Sequence, residues 1–312
     1  MTAAAAADPL LDADAMRQLE RLSIVHLGEV LAGVSGQRAR QSGERGLEFA
    51  DYRPYTPGDD LRRVDWNIYA RLGEAFVKTA PSEGHISIAL LIDASRSMDG
   101  DEDSAHPTKF RHAQRLAAML GVIALLRADA VEVHVLADGE SWAAGRLSSP
   151  TSVAALIEEL SVLRRGIRTD LPAGIRAYRS RRGDAEVAVL LTDALVDRES
   201  LREALQELRN SAGTATLVHI IDDSDRAVDV RGPVELRDRE TGERMLVDVT
   251  AALSERYAAS FDRLAEQARG LAASVDVGYL RAPTSIAPIE LLAEAARRTE
   301  LVASGTSRNT LR

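Results

Sequence analysis

The sequence predicts an α/β fold built on a doubly wound, mostly parallel sheet. From residue 86 onward, short apolar runs typical of strands alternate with segments whose apolar residues recur every three or four positions, as in helices. The first run, residues 86–92, is apolar except for Ser87. Such a run is typical of a strand that is covered on both faces, in the middle of a parallel sheet.

The remaining strands and helices follow from the same two patterns. Further strands of the sheet are predicted at residues 131–136, 186–191, 214–221 and 275–280, with a short edge strand at residues 141–147. Helices are predicted from the N-cap Thr108 to Ala124, over residues 152–163, 201–208, 253–271 and 286–296, and near the N-terminus over residues 13–31.

Two segments depart from this alternation. Residues 234–249 contain two short strand patterns around Arg239-Glu240-Thr241-Gly242, which predicts a β-hairpin inserted at residues 233–249. An N-terminal segment, residues 13–82, includes a helix and a strand at residues 75–79, and we expect it to pack on the core. The core domain is expected at residues 83–303, between a disordered tail at residues 1–12 and a mobile tail at residues 304–312.

Composition limits the possible functions. The chain has 312 residues, is 45% hydrophobic, carries a net charge of −9 and has no cysteine. The acidic balance argues against nucleic-acid binding, and the lack of cysteine excludes disulfides and thiolate metal sites. No apolar stretch approaches the roughly 20 residues of a membrane span. We therefore expect a soluble, cytoplasmic protein.

The first core strand ends in Asp93-Ala94-Ser95-Arg96-Ser97. This turn places one carboxylate and two hydroxyls at alternate positions, and oxygen ligands suit a hard cation such as Mg2+ or Mn2+. In open α/β sheets, ligands bind beyond the carboxyl ends of the strands, where this turn is expected. The bland alternative is a polar turn after a core strand.

Two later turns can complete a cation site. Thr169 precedes a predicted helix and offers a hydroxyl, and Asp193 follows the apolar strand that ends near residue 191. Asp193 can supply a second carboxylate, directly or through water. The structural alternative is that residues 169, 170 and 193 only cap helices.

These residues resemble the metal-ion-dependent adhesion site of the von Willebrand factor A domain, whose sheet is of the Rossmann type. The family pattern is Asp-x-Ser-x-Ser, then a Thr on a second loop, then an Asp after a later strand. The matching residues are Asp93, Ser95, Ser97, Thr169 and Asp193. The resemblance implies a Mg2+ ion with an open position that accepts an acidic side chain of a protein partner.

The upstream segment is similar to a narrower family. The stretches LEFADYRPY (residues 47–55) and PGDDLRRVDW (residues 57–66) resemble the bacterial domain-of-unknown-function 58 family, which carries such a segment before a von Willebrand A-like domain. The acidic stretch 99–103 and Pro81-Ser82 depart from the family pattern. The resemblance implies a partnership with MoxR-type AAA+ ATPases.

The same upstream segment has two interpretations at the residue level. Its mixed charges predict an internal salt-bridge network packed by a tryptophan, or a contact surface for a partner, where Trp and Arg are enriched. The candidate contact residues are Arg53, Asp59, Asp60, Arg62, Asp65, Trp66 and, near the metal site, Arg168.

Three functions fit these features. The first is a metal-dependent, protein-binding adaptor that works with a MoxR-type ATPase in chaperone-like remodelling or metal-centre maturation. The second is a metal-dependent hydrolase, but the sequence lacks a recognisable catalytic base or nucleotide-binding loop. The third is a structural protein with a vestigial site. We expect the first, a binding protein and not an enzyme.

Overall fold

A computed structural model gives the fold of the chain. It describes residues 10–22, 52–54, 76–78, 86–99, 107–168, 170–181, 185–226 and 230–295. The chain forms two compact units, one from residues 1–36 with 86–312 and one from residues 37–85. The larger unit contains the first helix, α1 (Ala13–Leu22), which the predicted segment 13–82 also includes.

Two short strands are described in the smaller unit. β1 (Tyr52–Pro54) and β2 (Phe76–Lys78) pair antiparallel, with Arg53 opposite Val77. β2 lies within the strand predicted at residues 75–79. The remaining candidate contact residues of this segment lie outside the described residues: Asp59, Asp60, Arg62, Asp65 and Trp66.

The larger unit is built from alternating strands and helices. Its strands are β3 (Ser87–Asp93), β4 (Ala130–Ala137), β5 (Glu140–Leu147), β6 (Ala185–Thr192), β7 (Ala212–Ile221), β8 (Gly232–Arg237), β9 (Arg244–Val249) and β10 (Gly278–Pro283). Its helices after α1 are α2 (Lys109–Leu126), α3 (Val153–Ser161), α4 (Leu171–Arg181), α5 (Arg198–Arg209), α6 (Ala251–Ser274) and a last helix at residues 288–295.

Six of these strands form one sheet in the order β10–β7–β6–β3–β4–β5. All neighbouring pairs are parallel except β4 with β5, which is antiparallel at the edge. The prediction of a doubly wound, mostly parallel sheet is therefore confirmed. The edge strand lies where the pattern at residues 141–147 predicts it.

Helices cover the sheet on both faces. Ile88, Leu90 and Ile92 of β3 pack into a hydrophobic cluster with α1, α2 and α3, whereas its alternate residues face the cluster of α4, α5 and α6. A strand buried on both sides explains the continuous apolar run in the sequence. Leu10, inside the tail predicted at residues 1–12, is 4% exposed and belongs to the first cluster.

Side-chain caps set the starts of three helices. Thr108 accepts a hydrogen bond from Arg111 N at α2, Asp197 accepts from Glu199 N and Ser200 N at α5, and Thr250 accepts from Leu253 N at α6. Each cap satisfies backbone donors that the first helical turn leaves unpaired. The N-cap predicted at Thr108 is therefore confirmed.

The inserted hairpin is formed by β8 and β9, which pair antiparallel with Val234 opposite Val247. The side chains on one face of this hairpin are all apolar: Val234, Leu236, Met245, Val247 and Val249. Burial decreases along this face from Val249 near the base to Met245 near the turn.

The predicted start of the last strand is wrong. The last strand begins at Gly278 and not at residue 275, because α6 extends to Ser274 and Asp276 then adopts a positive φ of 59°. The apolar stripe of the first half of α6 is exposed at Leu253, Tyr257 and Leu264, and burial begins only at Ala265. A helical repeat reports a consistent face, but it does not show how far the core extends along the helix.

None of the helices in the described parts of the chain is long and apolar enough to cross a membrane.

Candidate metal centre

The candidate site lies at the carboxyl ends of β3 and β6, which are neighbours in the sheet. Asp93 is the last residue of β3, Thr192 is the last residue of β6, and Asp193 follows it. Because parallel neighbours end at the same edge, side chains that are far apart in sequence meet there.

The first loop folds back on the Asp93 carboxylate. Its Oδ1 accepts a hydrogen bond from Ser95 N at 3.0 Å, and its Oδ2 accepts one from the Thr192 hydroxyl at 2.7 Å. A single 3-10 turn, Arg96–Met98, follows and is anchored by the buried Met98. This turn brings Ser95 Oγ and Ser97 Oγ to 3.0 Å from each other.

Asp193 joins the two serines from the second strand. Its Oδ1 accepts hydrogen bonds from Ser97 Oγ and from Leu195 N, both at 3.2 Å. The structure thus brings together four of the five predicted ligand residues, Asp93, Ser95, Ser97 and Asp193. Thr169 lies outside the described residues.

The loop before Thr169 is tied to the same edge of the sheet. Gly166 N donates to Ala94 O at 2.9 Å, and Arg96 N donates to Ile167 O at 3.4 Å. Asp138 accepts from the backbone of Ile167 and Arg168 through its carboxylate. Arg168, a candidate contact residue, is exposed beside this site.

Lys109, which is not among the predicted site residues, completes the cluster. It is the first residue of α2, is 2% exposed, and donates from Nζ to Asp193 Oδ2 at 2.7 Å and to Asp225 Oδ2 at 2.8 Å. Asp225 belongs to a 3-10 turn, Asp223–Arg226, that follows β7. A lysine directly after an N-cap, at the start of an apolar helix, is the only sequence signal for this contact.

Burial and charge oppose each other in this cluster. Burial, followed by the nearby Asp193 charge, raises the pKa of Asp93 to about 6. Burial alone acts to lower the pKa of Lys109, but the two carboxylates outweigh it and the pKa of Lys109 is raised. The site therefore contains crowded carboxylates that favour a neighbouring cation.

His219 forms a hydrogen bond with the backbone of Asp193. Its Nε2 lies 2.9 Å from the Asp193 carbonyl oxygen and its Nδ1 lies 2.9 Å from the Tyr279 hydroxyl. Burial lowers the pKa of His219 to about 4, so the ring is neutral at pH 7. A neutral ring donates a hydrogen bond from Nε2 to the Asp193 carbonyl oxygen and accepts one at Nδ1 from the Tyr279 hydroxyl. Both ring nitrogens therefore have a partner.

The oxygen spacing fits a small hard cation. Mg2+ holds oxygens at about 2.0–2.1 Å in near-octahedral geometry, so adjacent ligand oxygens lie about 3 Å apart. The separations from Ser95 Oγ to Ser97 Oγ and from Ser97 Oγ to Asp193 Oδ1 are 3.0 and 3.2 Å. The described residues include no group of three His, Cys, Asp or Glu that can hold a metal. The donor set therefore depends on the hydroxyls.

A polar groove of about 480 Å3 lies next to the first loop. The turn of the hairpin forms its other wall, and Arg239 contacts the carbonyl oxygen of Asp99 across it. Arg96 and Arg237 line the groove with exposed side chains, while Asp238 turns its carboxylate back to Glu240 N and Thr241 N. The sequence pattern predicts the hairpin, but it does not indicate that the hairpin lies close to Ser95 and Ser97.

The model of a family described as "Protein of unknown function DUF58" matches residues 51–267. The uncharacterized protein Rv1480 of Mycobacterium tuberculosis is 26% identical over 221 residues, which cover 68% of this chain and 67% of that protein.

Similar solved structures include BatB from Bacteroides thetaiotaomicron and the SpRpn10 VWA domain. BatB is 16% identical with a TM-score of 0.40, over 69% of this chain and 98% of BatB. The SpRpn10 domain is 13% identical with a TM-score of 0.36, over 67% of this chain and 94% of that domain.

Proposed function

Since this chain belongs to the DUF58 family, whose description names no function, we propose one from the site itself: a metal-dependent, protein-binding adaptor. Asp93, Ser95, Ser97 and Asp193 would hold Mg2+ or Mn2+, with Thr169 as the fifth protein ligand. The bound ion would supply a Lewis-acid position for an acidic side chain of a partner. The chain would act by binding and not by catalysis.

The observation that carries the proposal is the 3.2 Å approach of Ser97 Oγ to Asp193 Oδ1, beside Ser95 Oγ. Two of these three donors are neutral hydroxyls, so a divalent ion keeps much of its charge. Asp93 lies behind them, with its oxygens already engaged by Ser95 N and Thr192. Such a shell leaves the ion able to attract a carboxylate from another molecule.

The rim of the site favours the same kind of partner. Arg96 stands between the two serines in sequence and lines the groove with Arg237 and Arg239. Exposed arginines beside a divalent ion attract carboxylates and orient them as they approach. We infer that the partner presents an acidic segment to this edge of the sheet.

The sequence contains no P-loop for ATP, since neither of its two lysines, at positions 78 and 109, follows a glycine as that motif requires. Energy for remodelling would therefore come from a partner. The family resemblance supports a MoxR-type AAA+ ATPase in this role, in chaperone-like remodelling or metal-centre maturation.

Metal binding tests the proposal directly. Mn2+ and Mg2+ are titrated into the full chain by calorimetry, together with the double variant Ser95→Ala/Ser97→Ala. Ser211→Ala is the control, because Ser211 is as buried as Ser95 but lies at the opposite end of the sheet, before β7. We expect binding to the wild type and to the control and none to the double variant. No heat with either ion, or equal binding by all three proteins, would overturn the proposal.

A second experiment tests whether the chain binds a MoxR-type ATPase through the metal ion. A MoxR-type ATPase is immobilised and the full chain is applied in Mg2+ or in EDTA. We expect retention in Mg2+ that is lost in EDTA and in Ser95→Ala/Ser97→Ala. Retention that is indifferent to both changes would reject a contact bridged by the metal.

A further inference from the structure

Lys109 places a permanent positive charge against the carboxylate that the proposed ion must share. We propose that Lys109 is a resident cation that keeps the intrinsic affinity for the divalent ion low, so that the ion and an acidic partner bind cooperatively. This inference rests on the proposed metal-dependent function. It assigns a role in setting affinity to a residue outside the ligand set.

The two oxygens of Asp193 are divided between two tasks. Oδ1 faces the serine hydroxyls and accepts from Ser97, whereas Oδ2 accepts from Lys109 Nζ at 2.7 Å. Only Oδ1 is available to an ion among the serines. The ammonium therefore withdraws half of this carboxylate from the site and lies within a few ångströms of the ion that Oδ1 would contact.

The fold holds Lys109 in place at an unfavourable position. A positive charge at a helix N-terminus opposes the helix dipole, and the first turn of α2 contains no acidic residue to offset it. The side chain is also 3% exposed, so it cannot turn to solvent without opening the core. Its two carboxylate contacts compensate for these costs, and the ammonium is consequently a fixed part of the site.

Asp225 controls how strongly Lys109 acts on Asp193. Lys109 Nζ also donates to Asp225 Oδ2 at 2.8 Å. The Asp225 side chain is 37% exposed. Part of the lysine charge is neutralised by Asp225. Without Asp225, the whole ammonium charge would act on Asp193.

Cooperativity follows from charge. The site offers an ion two carboxylates, Asp93 and Asp193, and Lys109 offsets one of them. A carboxylate from a partner restores the missing negative charge and contacts the ion directly. By linkage, an acidic ligand then tightens ion binding by the same factor as the ion tightens binding of the ligand.

Lys109→Met and Asp225→Asn change this balance in opposite directions. Met keeps most of the length of the side chain and removes its charge, so we expect Mn2+ to bind about tenfold or more tightly to Lys109→Met than to wild type. Asp225→Asn should weaken binding several-fold. If Asp225 acts through Lys109, the effect of Asp225→Asn should shrink in the double variant Lys109→Met/Asp225→Asn.

The measurement is calorimetric titration of Mn2+ into the full chain of each variant, with and without a short acidic peptide. In wild type the peptide should tighten Mn2+ binding, and in Lys109→Met this gain should be smaller. If Lys109 only orients Asp193, Lys109→Met will bind Mn2+ more weakly, and that result, or an unchanged affinity, overturns the inference.

Folding of each variant is checked by thermal unfolding in EDTA. Should Lys109→Met not fold, Asp225→Asn still decides, because Asp225 is partly exposed and unchanged Mn2+ affinity in that variant also overturns the inference. Wild type that binds no Mn2+ rejects the proposed function and the inference together. Wild type that binds Mn2+ with Lys109→Met unimproved rejects only the inference.

Discussion

Ser97 Oγ lies 3.2 Å from Asp193 Oδ1, although 96 residues separate them in the sequence. The contact exists because β3 and β6 are parallel neighbours, so their carboxyl ends lie side by side. The hydroxyl and the carboxylate are thus positioned by the backbone of the core, and not by a flexible loop alone. Substitutions at the carboxyl ends of these strands should therefore affect the free energy of unfolding and the affinity for a divalent ion differently.

Asp93→Asn should stabilise the protein in the absence of metal. Burial and the Asp193 charge make the Asp93 carboxylate costly, as its raised pKa of about 6 indicates. Removing the charge should add about 1–2 kcal/mol to the free energy of unfolding at pH 7, after the loss of one hydrogen-bond acceptor is deducted. Urea unfolding in EDTA measures this change, and added Mg2+ should no longer stabilise the variant.

Thr192→Val tests the hydrogen bond that stabilises the charged form of Asp93. It removes the hydroxyl that donates to Asp93 Oδ2 at 2.7 Å in a fully buried position. A buried carboxylate oxygen that loses its donor should cost about 1–3 kcal/mol of stability. Asp93→Asn and Thr192→Val should therefore shift the urea midpoint in opposite directions. Two shifts of the same sign would contradict this account of the Asp93 carboxylate.

Gly166→Ala should displace the loop that borders the site. A Cβ added at Gly166 would collide with the Ala137 side chain and lie 2.9 Å from Asp138 Oδ2. The hydrogen bond from Gly166 N to Ala94 O holds this loop against the loop that follows β3. We expect a loss of about 1–3 kcal/mol in unfolding free energy, together with weaker Mn2+ binding.

A different glycine is the control for that variant. Gly270→Ala adds a Cβ with no atom within 4 Å, near the C-terminal end of α6. It should stabilise the helix by up to about 1 kcal/mol and leave Mn2+ binding unchanged. If Gly166→Ala behaved like Gly270→Ala, the loop at residue 166 would not be set by contact with Ala137.

The apolar face of the hairpin should contribute to stability only near its base. Val249 is 5% exposed, whereas Met245 on the same face is 61% exposed. Val249→Ala should cost about 1–3 kcal/mol, and Met245→Ala should change the unfolding free energy by less than about 0.5 kcal/mol. Urea unfolding of both variants measures the difference. Equal costs would show that the face is covered along its whole length.

Sequence patterns predict this fold well where one property dominates. The runs at residues 88–92 and 187–191 are apolar because these parts of β3 and β6 are covered on both faces. A polar turn after an apolar strand also indicates the carboxyl end of that strand, so the sequence alone groups Asp93, Ser95, Ser97 and Asp193. In these cases local sequence and tertiary position carry the same information.

Sequence patterns give no information about features that depend on contacts between distant parts of the chain. Lys109 is a single charged residue at a helix start, and only the folded chain brings Asp193 and Asp225 to its ammonium. The stripe of Leu253 and Tyr257 has correct helical spacing, yet the first half of α6 extends past the buried part of the core. Spacing along one element does not report what lies opposite it.

His112 should make the protein sensitive to acid. This ring is fully buried in α2, and neither of its nitrogens has a hydrogen-bond partner among the described residues. Burial, with a smaller contribution from Arg115, lowers the pKa of His112 to about 4 from 6.5. Below pH 6.5 the unfolded chain takes up a proton that the folded chain does not, so stability falls as the pH drops from about 6.5 to about 4. The loss from this ring alone should approach about 3 kcal/mol.

His112→Leu isolates this contribution, because other groups such as His219 also titrate in the folded state. Removing two unsatisfied ring nitrogens should raise the unfolding free energy at pH 7 by about 1–3 kcal/mol. The advantage over wild type should then grow by about 2–3 kcal/mol between pH 7 and pH 4.5, since leucine binds no proton in either state. Urea unfolding of both proteins at pH 7, 5.5 and 4.5 gives the two curves. Parallel curves would mean that His112 is protonated equally in the folded and unfolded chains, contrary to its burial.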